Sequence, residues 1–274
     1  MPHDSLGDRM KEYENAYRFY LPRRMPVIVR VDGKAFHTFT RGFKRPFDSA
    51  VSEPMKEVAI ELCRNVEGCK LAYTQSDEIS LVLRNDDELT TQAWFGNNLQ
   101  KIISVTASIA TRAFNRSYRS YVQQHHYLPL SLEFMSDEKQ EKFKKDYNTY
   151  FRNIDQAMFD SRAFLLPEHE VVNYFIWRQQ DAVRNSVESC ARSMYSHKEL
   201  HKKNCAQMLQ MMKEKGFDWH DLPMNQKAGL CIVKRSHEVN GAQRSKWTPD
   251  LNIPIFSEAR DYIIDEVWGK HEQV

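Results

Sequence analysis

The sequence predicts an α+β protein built on a ferredoxin-like antiparallel sheet that is packed by long helices. A mostly β-branched run at residues 27–31 ends in Asp32 and Gly33, as a buried strand would. An amphipathic helical pattern follows at residues 49–66, and two β-rich runs come after it, at 71–74 and 79–83. The order strand, helix, strand, strand begins a split βαβ sheet, and this order defines the predicted class.

Size and charge bound the possible functions. The 274 residues suffice for one large domain or two small ones, and a hydrophobic content of 41% supports a proper core. Because 39 basic and 37 acidic residues leave a net charge of +2, the chain has no bulk polyelectrolyte tail. Any nucleic-acid surface must therefore come from local segregation of charge.

Cysteine usage and hydropathy predict where the chain works. The five cysteines form no Cys-x-x-Cys pair and are odd in number, which favours a reduced compartment over a disulfide framework or a zinc site. The first eight residues show no apolar signal core, and no run of about 18 apolar residues occurs. We therefore predict a cytoplasmic protein without a membrane span.

The helices of the first half are read from apolar spacing and from their ends. Residues 8–20 predict a packing helix that Pro22 ends. Asp48 or Ser49 is placed to cap the next helix. A long helix is predicted over residues 89–122.

The second half alternates between helices and strands. In chain order the pattern predicts a solvated loop or helix face at 136–152, a strand at 158–166, a helix at 168–195, a basic helix at 197–215, a strand at 228–235 and a short amphipathic element at 256–268. The strand at 228–235 and a turn near Gly241 form a basic hairpin that suits an RNA backbone.

The first candidate site is the end of the opening strand. It delivers the carboxylate of Asp32, and Gly33 leaves the backbone open to close approach by a ligand. Lys34 and His37 follow at once, a combination that suits a metal-bound phosphate. The alternative is a plain Asp-Gly turn.

A second acidic site lies at the tip of the predicted hairpin. Ser76, Asp77 and Glu78 stand between its two β-rich runs. Neighbouring strands lie about 4.8 Å apart. If the two strands are adjacent, Asp32 and Asp77 are therefore close enough to bind the same two metal ions. Carboxylates crowded in this way need cations, and hard oxygen ligands suit two Mg²⁺ ions that are completed by substrate phosphates.

Cations are segregated in the long helix. Residues 89–132 contain no Asp or Glu, and Arg112, Arg116 and Arg119 share one helical face. Such a face suits phosphate, unless the arginines pair with acids elsewhere. Lys44 and Arg45 either hold a triphosphate or are merely solvated. The adjacent histidines at 125–126 are predicted to be exposed rather than metal ligands.

Three stretches in register resemble the tRNA-His guanylyltransferase superfamily, whose enzymes add nucleotides in the 3′-to-5′ direction. They are residues 30–37 (Arg-Val-Asp-Gly-Lys-Ala-Phe-His), 72–78 (Ala-Tyr-Thr-Gln-Ser-Asp-Glu) and 177–181 (Trp-Arg-Gln-Gln-Asp). The resemblance covers about residues 10–235. It implies a polymerase-palm-like catalytic sheet.

The resemblance also implies roles for single residues. The catalytic acids are Asp32, Asp77 and Glu78, and two Mg²⁺ are held by Asp32, Asp77 and the Gly33 carbonyl. The implied nucleotide-binding residues are Lys34, Ala35, Phe36, His37, Lys44, Arg45, Asp48 and Ser76. The candidate RNA or phosphate contacts are Lys101, Arg112, Arg116, Arg178 and Lys203.

The chain departs from the family pattern at two places. Asn98 falls where some members have an arginine. Eukaryotic members continue after the third stretch with Cys-His-Ile-Asn-Asn, whereas this chain reads Ala-Val-Arg-Asn-Ser, with Val183 in place of the histidine. The chain is therefore more similar to the guanylyltransferase-like proteins of bacteria and archaea, which rebuild truncated tRNA 5′ ends.

The implied function is template-dependent 3′-to-5′ nucleotide addition to tRNA after activation of the 5′ phosphate by ATP or GTP. The alternatives are addition of a single 5′ G to tRNA-His, a palm-fold nucleotide cyclase, and a non-catalytic RNA-binding protein. We expect one catalytic unit over 1–274, with a palm-like core at 23–166 and a helical and hairpin part at 167–274 for tRNA binding and oligomerisation. The resemblance implies a homotetramer with tRNA, ATP and GTP as partners.

Overall fold

A single six-stranded antiparallel sheet organises the protein in our computed structural model, which describes residues 5–126, 136–239 and 241–269. The strand order is β4-β1-β3-β2-β5-β6. The strands are β1 (Val27–Gly33), β2 (Cys69–Gln75), β3 (Glu78–Leu83), β4 (Phe159–Leu165), β5 (Leu230–Val239) and β6 (Ala242–Asp250). In β4-β1-β3-β2, β3 separates β1 from β2, so the predicted α+β class with a split βαβ sheet is confirmed.

Ten helices connect and cover the strands in the described part of the chain. They are α1 (Ser5–Asn15), α2 (Phe36–Phe39), α3 (Ser49–Asn65), α4 (Leu99–His125), α5 (Asp137–Phe151), α6 (Glu168–Met194), α7 (His197–Leu200), α8 (Cys205–Glu214), α9 (Met224–Ala228) and α10 (Asp261–Trp268). Short 3-10 turns occur at Trp94–Asn97 and Trp219–Asp221. No described helix is both long and apolar enough to span a membrane.

The alternation of side chains along β1 gives the sheet two different faces. Val27, Val29 and Val31 are buried in the core under α3 and α4. Ile28 belongs to the second core, which includes Phe175 of α6. Arg30 and Asp32 follow Ile28 at period two, so the face covered by α6 carries the charged residues of β1.

The last two strands extend the sheet from the chain's second half. β5 pairs with β2 over three residue pairs, whereas β5 and β6 pair with each other over nine. The β5–β6 ribbon therefore projects beyond the sheet edge. The base of this hairpin, which lies in the part at 167–274 predicted for tRNA binding, continues the same sheet that carries the predicted palm-like core.

Three predicted helices differ from the observed ones. α1 ends at Asn15 and has no buried residue, so the prediction of a packing helix was wrong. The long helix begins at Leu99 rather than at residue 89, because Asn98 caps it by accepting a hydrogen bond from Lys101 N at 3.0 Å. The predicted helix at 197–215 is split into α7 and α8, since a second capping box begins at Asn204.

Candidate active site

The structure brings the three predicted acids together at one end of the sheet. Asp32 and Glu78 are direct partners in the β1–β3 pair. Gly33 N donates a hydrogen bond to the Asp77 backbone oxygen at 3.0 Å, which ties the end of β1 to the turn between β2 and β3. Asp32 lies far from Asp77 and Glu78 in the chain and meets them because β1 and β3 are neighbours.

Asp77 sits on a strained turn with few compensating charges. Ser76 has a left-handed backbone (φ 53°), and its hydroxyl donates to Asp77 Oδ1 at 3.0 Å. Burial raises the pKa of Asp77, and the nearby Asp32 raises it further, while the Ser76 hydrogen bond and His37 oppose the rise. Within the described residues, no basic side chain lies at ion-pair distance from Asp77.

Glu78 is bound by arginines instead. Arg178 of α6 donates from Nε and Nη2 to the two Glu78 oxygens, at 2.7 and 2.9 Å. Arg30 Nε lies 3.4 Å from Glu78 Oε2, and Arg30 Nη2 lies 3.8 Å from Asp32 Oδ2. Burial raises the pKa of Glu78, and Arg178 and then Arg30 oppose this rise. Glu78 is therefore the acid whose charge is matched, unlike Asp77.

This pairing occupies Arg178, for which a contact with RNA stays a prediction. Arg178 is 7% exposed, and its Nη2 also donates to Asp181 Oδ2 at 3.0 Å. A phosphate would have to displace one of these two carboxylates from the guanidinium.

The packing of Phe36 requires a glycine at position 33. A Cβ added to Gly33 would lie 2.4 Å from Phe36 Cδ2, so the Phe36 ring fills the space on that side of the glycine. The metal contact of the Gly33 carbonyl stays a prediction. Phe36 is itself buried among Phe39, Phe114 and Phe159. Its side chain therefore belongs to the core, so the predicted nucleotide contact at Phe36 would have to come from its backbone.

The neighbours of Phe36 remain available. Lys34, Ala35 and His37 are exposed, and Ala35 adopts a left-handed conformation (φ 55°) as it begins α2. The first turn of a helix leaves backbone amides without helical partners, which are suitable donors for phosphate oxygens. For these three residues nucleotide contact stays a prediction.

Asp48 is occupied, while the two cations before it are free. Its carboxylate accepts hydrogen bonds from Ala50 N at 2.9 Å, Lys44 N at 2.8 Å and the Tyr150 hydroxyl at 2.7 Å. Asp48 thus caps α3, as the alternative expectation held, and the predicted nucleotide contact would have to displace these bonds. The side chains of Lys44 and Arg45 are exposed and form no ion pair with any acid that the structure describes.

The basic face of α4 is engaged with acids. Glu61 of α3 lies 3.0 Å from Arg112 Nη2 and 3.8 Å from Arg116 Nη2, and Arg119 pairs with Asp155. The structure thus shows the ion-pairing alternative for this face, because α3 and α4 pack side by side. The predicted phosphate contacts of Arg112 and Arg116 would have to compete with Glu61.

The two remaining predicted contacts lie away from the acids. Lys101 is in the first turn of α4, about 15 Å along the helix from Thr111. The Thr111 hydroxyl accepts a hydrogen bond from Phe159 N, and Phe159 is the partner of Gly33 in the β1–β4 pair. Lys203 is exposed in the loop between α7 and α8. Neither of them joins the acid cluster.

The donor set fits a divalent cation that a substrate helps to hold. In the described chain no group of three or more His, Cys, Asp or Glu side chains is arranged to bind a metal. Two carboxylates remain, from Asp32, which has Arg30 at 3.8 Å, and from Asp77, which has no basic side chain at ion-pair distance among the described residues. Mg²⁺ is commonly bound by one or two carboxylates with phosphate oxygens completing its shell, and this site offers that combination.

Comparison with known proteins identifies the family. The profile described as tRNAHis guanylyltransferase matches residues 7–167, more than half of the chain. The chain belongs to the tRNAHis guanylyltransferase family. The resemblance inferred from three short motifs is thereby confirmed, as is the prediction of a nucleotidyltransferase that acts in tRNA processing.

Relatives of this guanylyltransferase-family chain include solved structures. Two structures of a bacterial tRNA(His) guanylyltransferase-like protein, in complex with ATP and with GTP, are 45% and 44% identical to it and have TM-scores of 0.78 and 0.76. Each alignment covers 97% of this chain and 100% of the chain in the solved structure. The tRNA(His) guanylyltransferase of Schizosaccharomyces pombe is 28% identical over 186 residues, which are 67% of this chain and 58% of that enzyme.

Sequence reasoning missed three charged residues next to the site. Arg30 lies between Asp32 and Glu78, and the period of two along β1 places it on their face. Asp181 shares a helical face with Arg178 at a spacing of three. Asp160 of β4 is the strand partner of Asp32, a position that only the β1–β4 pairing reveals.

Proposed function

We propose that this guanylyltransferase-family enzyme adds nucleotides to the 5′ end of truncated tRNA in the 3′-to-5′ direction, with the opposite strand as template. The observation that carries the proposal is Val183, which stands where the eukaryotic pattern has the histidine linked to recognition of tRNA-His. The similarity to the bacterial guanylyltransferase-like protein over 97% of the chain supports it.

The reaction has two nucleotidyl-transfer steps. ATP or GTP first activates the 5′-monophosphate of the tRNA and releases pyrophosphate. The 3′-hydroxyl of an incoming NTP then attacks the activated phosphate, and the activating nucleotide leaves. Two Mg²⁺ ions, when bound, supply charge neutralisation for the phosphates.

The residues of the chain position these reactants. Asp32 and Asp77 hold the cations, with the Gly33 carbonyl as a further oxygen ligand. Lys44 and Arg45 lie on the surface beside α3, free of acid partners, and bind the triphosphate oxygens. Ser76 donates to phosphate in exchange for its bond to Asp77. Catalysis in this class is mostly positioning and electrostatic stabilisation.

The tRNA lies against the second half of the chain in this proposal. The β5–β6 ribbon places Arg235 opposite Lys246 and His237 opposite Arg244. Arg235 is paired with Glu266 of α10, whereas Arg244 and Lys246 are exposed and form no ion pair with a described acid, so these two side chains are the proposed phosphate contacts of the ribbon. Lys203 extends the basic surface from the loop before α8.

A homotetramer is the proposed assembly, in the cytoplasm. α1 presents Leu6, Met10 and Tyr13 on one exposed stripe at helical spacing, and no residue of α1 is buried. A second copy of the chain is the proposed partner of this stripe. Light scattering should show that Met10→Ser with Tyr13→Ser lowers the mass, while Leu89→Ser, an exposed leucine elsewhere, leaves it unchanged.

The decisive assay uses a tRNA that lacks its first nucleotide, with Mg²⁺ and NTPs. The wild-type enzyme should restore the missing nucleotide that the template specifies, and Asp77→Ala should not. Asp86→Ala, an acid paired with Arg84 at the other end of β3, is the matched control and should retain extension. Equal extension by wild type and Asp77→Ala would refute the proposal.

A second candidate is addition of one extra G to tRNA-His. The family profile and the S. pombe relative both carry this description, and that observation favours it. Intact tRNA-His and truncated tRNAs of other identities separate the two functions. Extension of the truncated tRNAs in preference to intact tRNA-His supports repair, and the reverse order supports the single addition.

A further inference from the structure

A surface of aromatic and cationic side chains lies beside the start of α4. Phe95 is 41% exposed and Tyr20 is 56% exposed, although both carry large rings. Lys101 Nζ lies 5.7 Å from the centre of the Phe95 ring. Arg23 Nη2 lies 3.7 Å from the position of a Cβ built on Gly96, so this cation is also next to Phe95. These four side chains, Tyr20, Arg23, Phe95 and Lys101, form the aromatic patch.

The backbone that carries Phe95 is strained and held in place. Phe95, Gly96 and Asn97 are consecutive left-handed residues (φ 50°, 61° and 64°), a conformation in which a Cβ crowds the backbone. Asn97 is buried, donates from Nδ2 to the Pro22 oxygen at 2.9 Å, and accepts from Leu21 N at 2.9 Å through its backbone oxygen. The segment before β1 therefore fixes this turn, which presents the Phe95 ring on a rigid support.

The cations of the patch have no acid partners. Residues 17–24 and 89–104, which contribute the patch, contain no Asp or Glu. Both Arg23 and Lys101 are exposed, and neither forms an ion pair with an acid in the part of the chain that the structure describes. An anion can therefore bind here without displacing a carboxylate.

The patch lies at the end of the sheet opposite to the acids. Arg23 is four positions before the first residue of β1, whereas Asp32 is near the last. Because a strand rises about 3.3 Å per residue, the seven residues of β1 separate its two ends by about 20 Å. The patch is therefore outside the proposed nucleotide site, but within reach of an RNA strand that is bound there.

The chemistry of the patch favours unpaired nucleotides as its ligand. An aromatic side chain stacks on a base whose face is free, and bases inside a duplex are already stacked on their neighbours. Arg and Lys beside such a ring bind the phosphates that connect one base to the next. A second copy of the chain fits less well, since a two-fold contact would bring the cations of one patch towards the same cations of the other.

We propose that the aromatic patch binds unpaired nucleotides of the RNA strand opposite the recessed 5′ end, with a base stacked on Phe95 and phosphates at Arg23 and Lys101. This inference rests on the proposed function, because a tRNA that lacks 5′ nucleotides leaves the opposite strand unpaired beyond that end. Trp94, whose ring centre lies 4.5 Å from that of Phe95, supports the stack. The patch thus holds the template strand while the acids act on the 5′ end.

The experiment measures the Kd of the full-length enzyme for two fluorescein-labelled RNA hairpins by fluorescence anisotropy. One hairpin has a single-stranded 3′ extension of adenylates beyond a recessed 5′ end, and the other has a blunt end. The wild type should bind the extended hairpin more tightly. Phe95→Leu, which stays apolar but loses the ring, should weaken binding of the extended hairpin at least about fivefold and leave the blunt hairpin unchanged. Phe95→Trp should keep the wild-type preference, because an indole also stacks on a base.

Controls exist for both the ring and the charge. Phe143 of α5 is 40% exposed and lies outside the patch, so Phe143→Leu should change neither Kd. Arg23→Gln should lower the slope of log Kd against log salt concentration for the extended hairpin by about 0.7, the value for one phosphate contact of a single strand. Arg192→Gln, which removes an exposed arginine of α6 that pairs with Glu188, should leave that slope unchanged.

The proposal is overturned if Phe95→Leu weakens binding of the two hairpins equally or not at all. It is also overturned if Phe95→Leu lowers the mass in light scattering, because the patch would then be an interface between copies of the chain. If Phe95→Leu does not fold, an unchanged salt slope for Arg23→Gln overturns it. These measurements need no turnover, so their failure leaves the proposed function intact. Retained extension by Asp77→Ala refutes that function and leaves the hairpin result standing.

Discussion

The acidic side chains at the two ends of the central β1–β3 pair differ in whether a basic side chain lies close to them. At the end with the β2–β3 turn, Asp77 has no close basic partner among the described residues, and Asp32 has only Arg30 at 3.8 Å. At the other end, Asp86 lies 3.0 Å from Arg84 Nε, and Asp87 lies 2.5 Å from Lys70 Nζ. One end is matched in charge and the other is not.

This difference suggests a physical reason for the unmatched acid: it lowers the stability of the fold at the end of the sheet where we propose that a ligand binds. A buried acid without a partner destabilises the fold, so it persists where a ligand supplies the missing charge. In the proposed function, a cation bound together with a nucleotide triphosphate supplies that charge here. The acids of the matched end need no ligand and serve as an internal control for every substitution at the site.

The largest expected effect comes from removing a site acid. Asp32→Ala should lower kcat for tRNA extension by at least about 100-fold, because it removes half of the proposed cation-binding pair. Asp87→Ala should leave kcat within about twofold, since its partners are structural. Steady-state kinetics of both variants decide the point, and a comparable loss in both would erase the distinction between the two ends.

The next prediction compares two glycines at which an added Cβ would lie too close to neighbouring atoms. Gly33→Ala should push the Phe36 ring aside and lower kcat about tenfold, with about 1–3 kcal/mol lost from the free energy of unfolding. Gly68→Ala, where φ is +78° and the Arg84 carbonyl oxygen lies 2.6 Å from the added carbon, should lose a similar free energy but keep kcat. Urea unfolding and kinetics on the same samples give both quantities. Full activity in Gly33→Ala would show that the ring does not support the acid end.

A smaller effect has opposite signs at the two ends. The folded-state pKa of Asp77 is raised, so its ionised form destabilises the fold above that pKa, and this penalty disappears as pH falls below the ordinary Asp value. Asp77→Asn should therefore raise the free energy of unfolding at pH 7, by on the order of 1 kcal/mol, and the gain should vanish near pH 3. Asp86→Asn should lower it at pH 7. Denaturant titrations at both pH values test this, and a loss for Asp77→Asn at pH 7 would contradict the comparison.

The smallest effect is expected on the matched end alone. Lys70→Gln removes one half-exposed ion pair with Asp87 and should lower the free energy of unfolding by less than about 1 kcal/mol. kcat should not change. A measurable loss of activity would mean that the two ends are coupled, which melting curves and kinetics can establish together.

Local patterns predicted the elements of this fold well, and pairings across the chain less well. β-branched runs located β1 and the β2–β3 hairpin, and a side-chain cap located the start of α3. These signals lie within a few residues of what they determine. The meeting of Asp32 with Glu78 was accessible because the split βαβ order makes β1 and β3 neighbours.

Partners that lie far away in sequence were harder to predict. Arg178 binds Glu78 across 100 positions, and Arg112 binds Glu61 across 51. No spacing rule announces such pairs, so the partner of Arg178 was not predicted, and for Arg112 an acid partner was only one of two alternatives. The exposure of α1 was missed for a related reason, since an amphipathic pattern indicates an apolar face but not whether the same chain covers it.

The short attachment of the β5–β6 ribbon to the sheet has a consequence for the local opening of its backbone hydrogen bonds. Among the described residues, only the pairs Ala72–Ile232, Tyr73–Cys231 and Thr74–Leu230 join it to the rest of the sheet, and an isolated two-stranded ribbon is marginally stable in water. Backbone amides should therefore exchange with deuterium slowly at the base of β5 and progressively faster towards the tip. The local stability of the ribbon therefore falls from its base in the sheet towards its tip, so the tip can change conformation while the sheet stays folded.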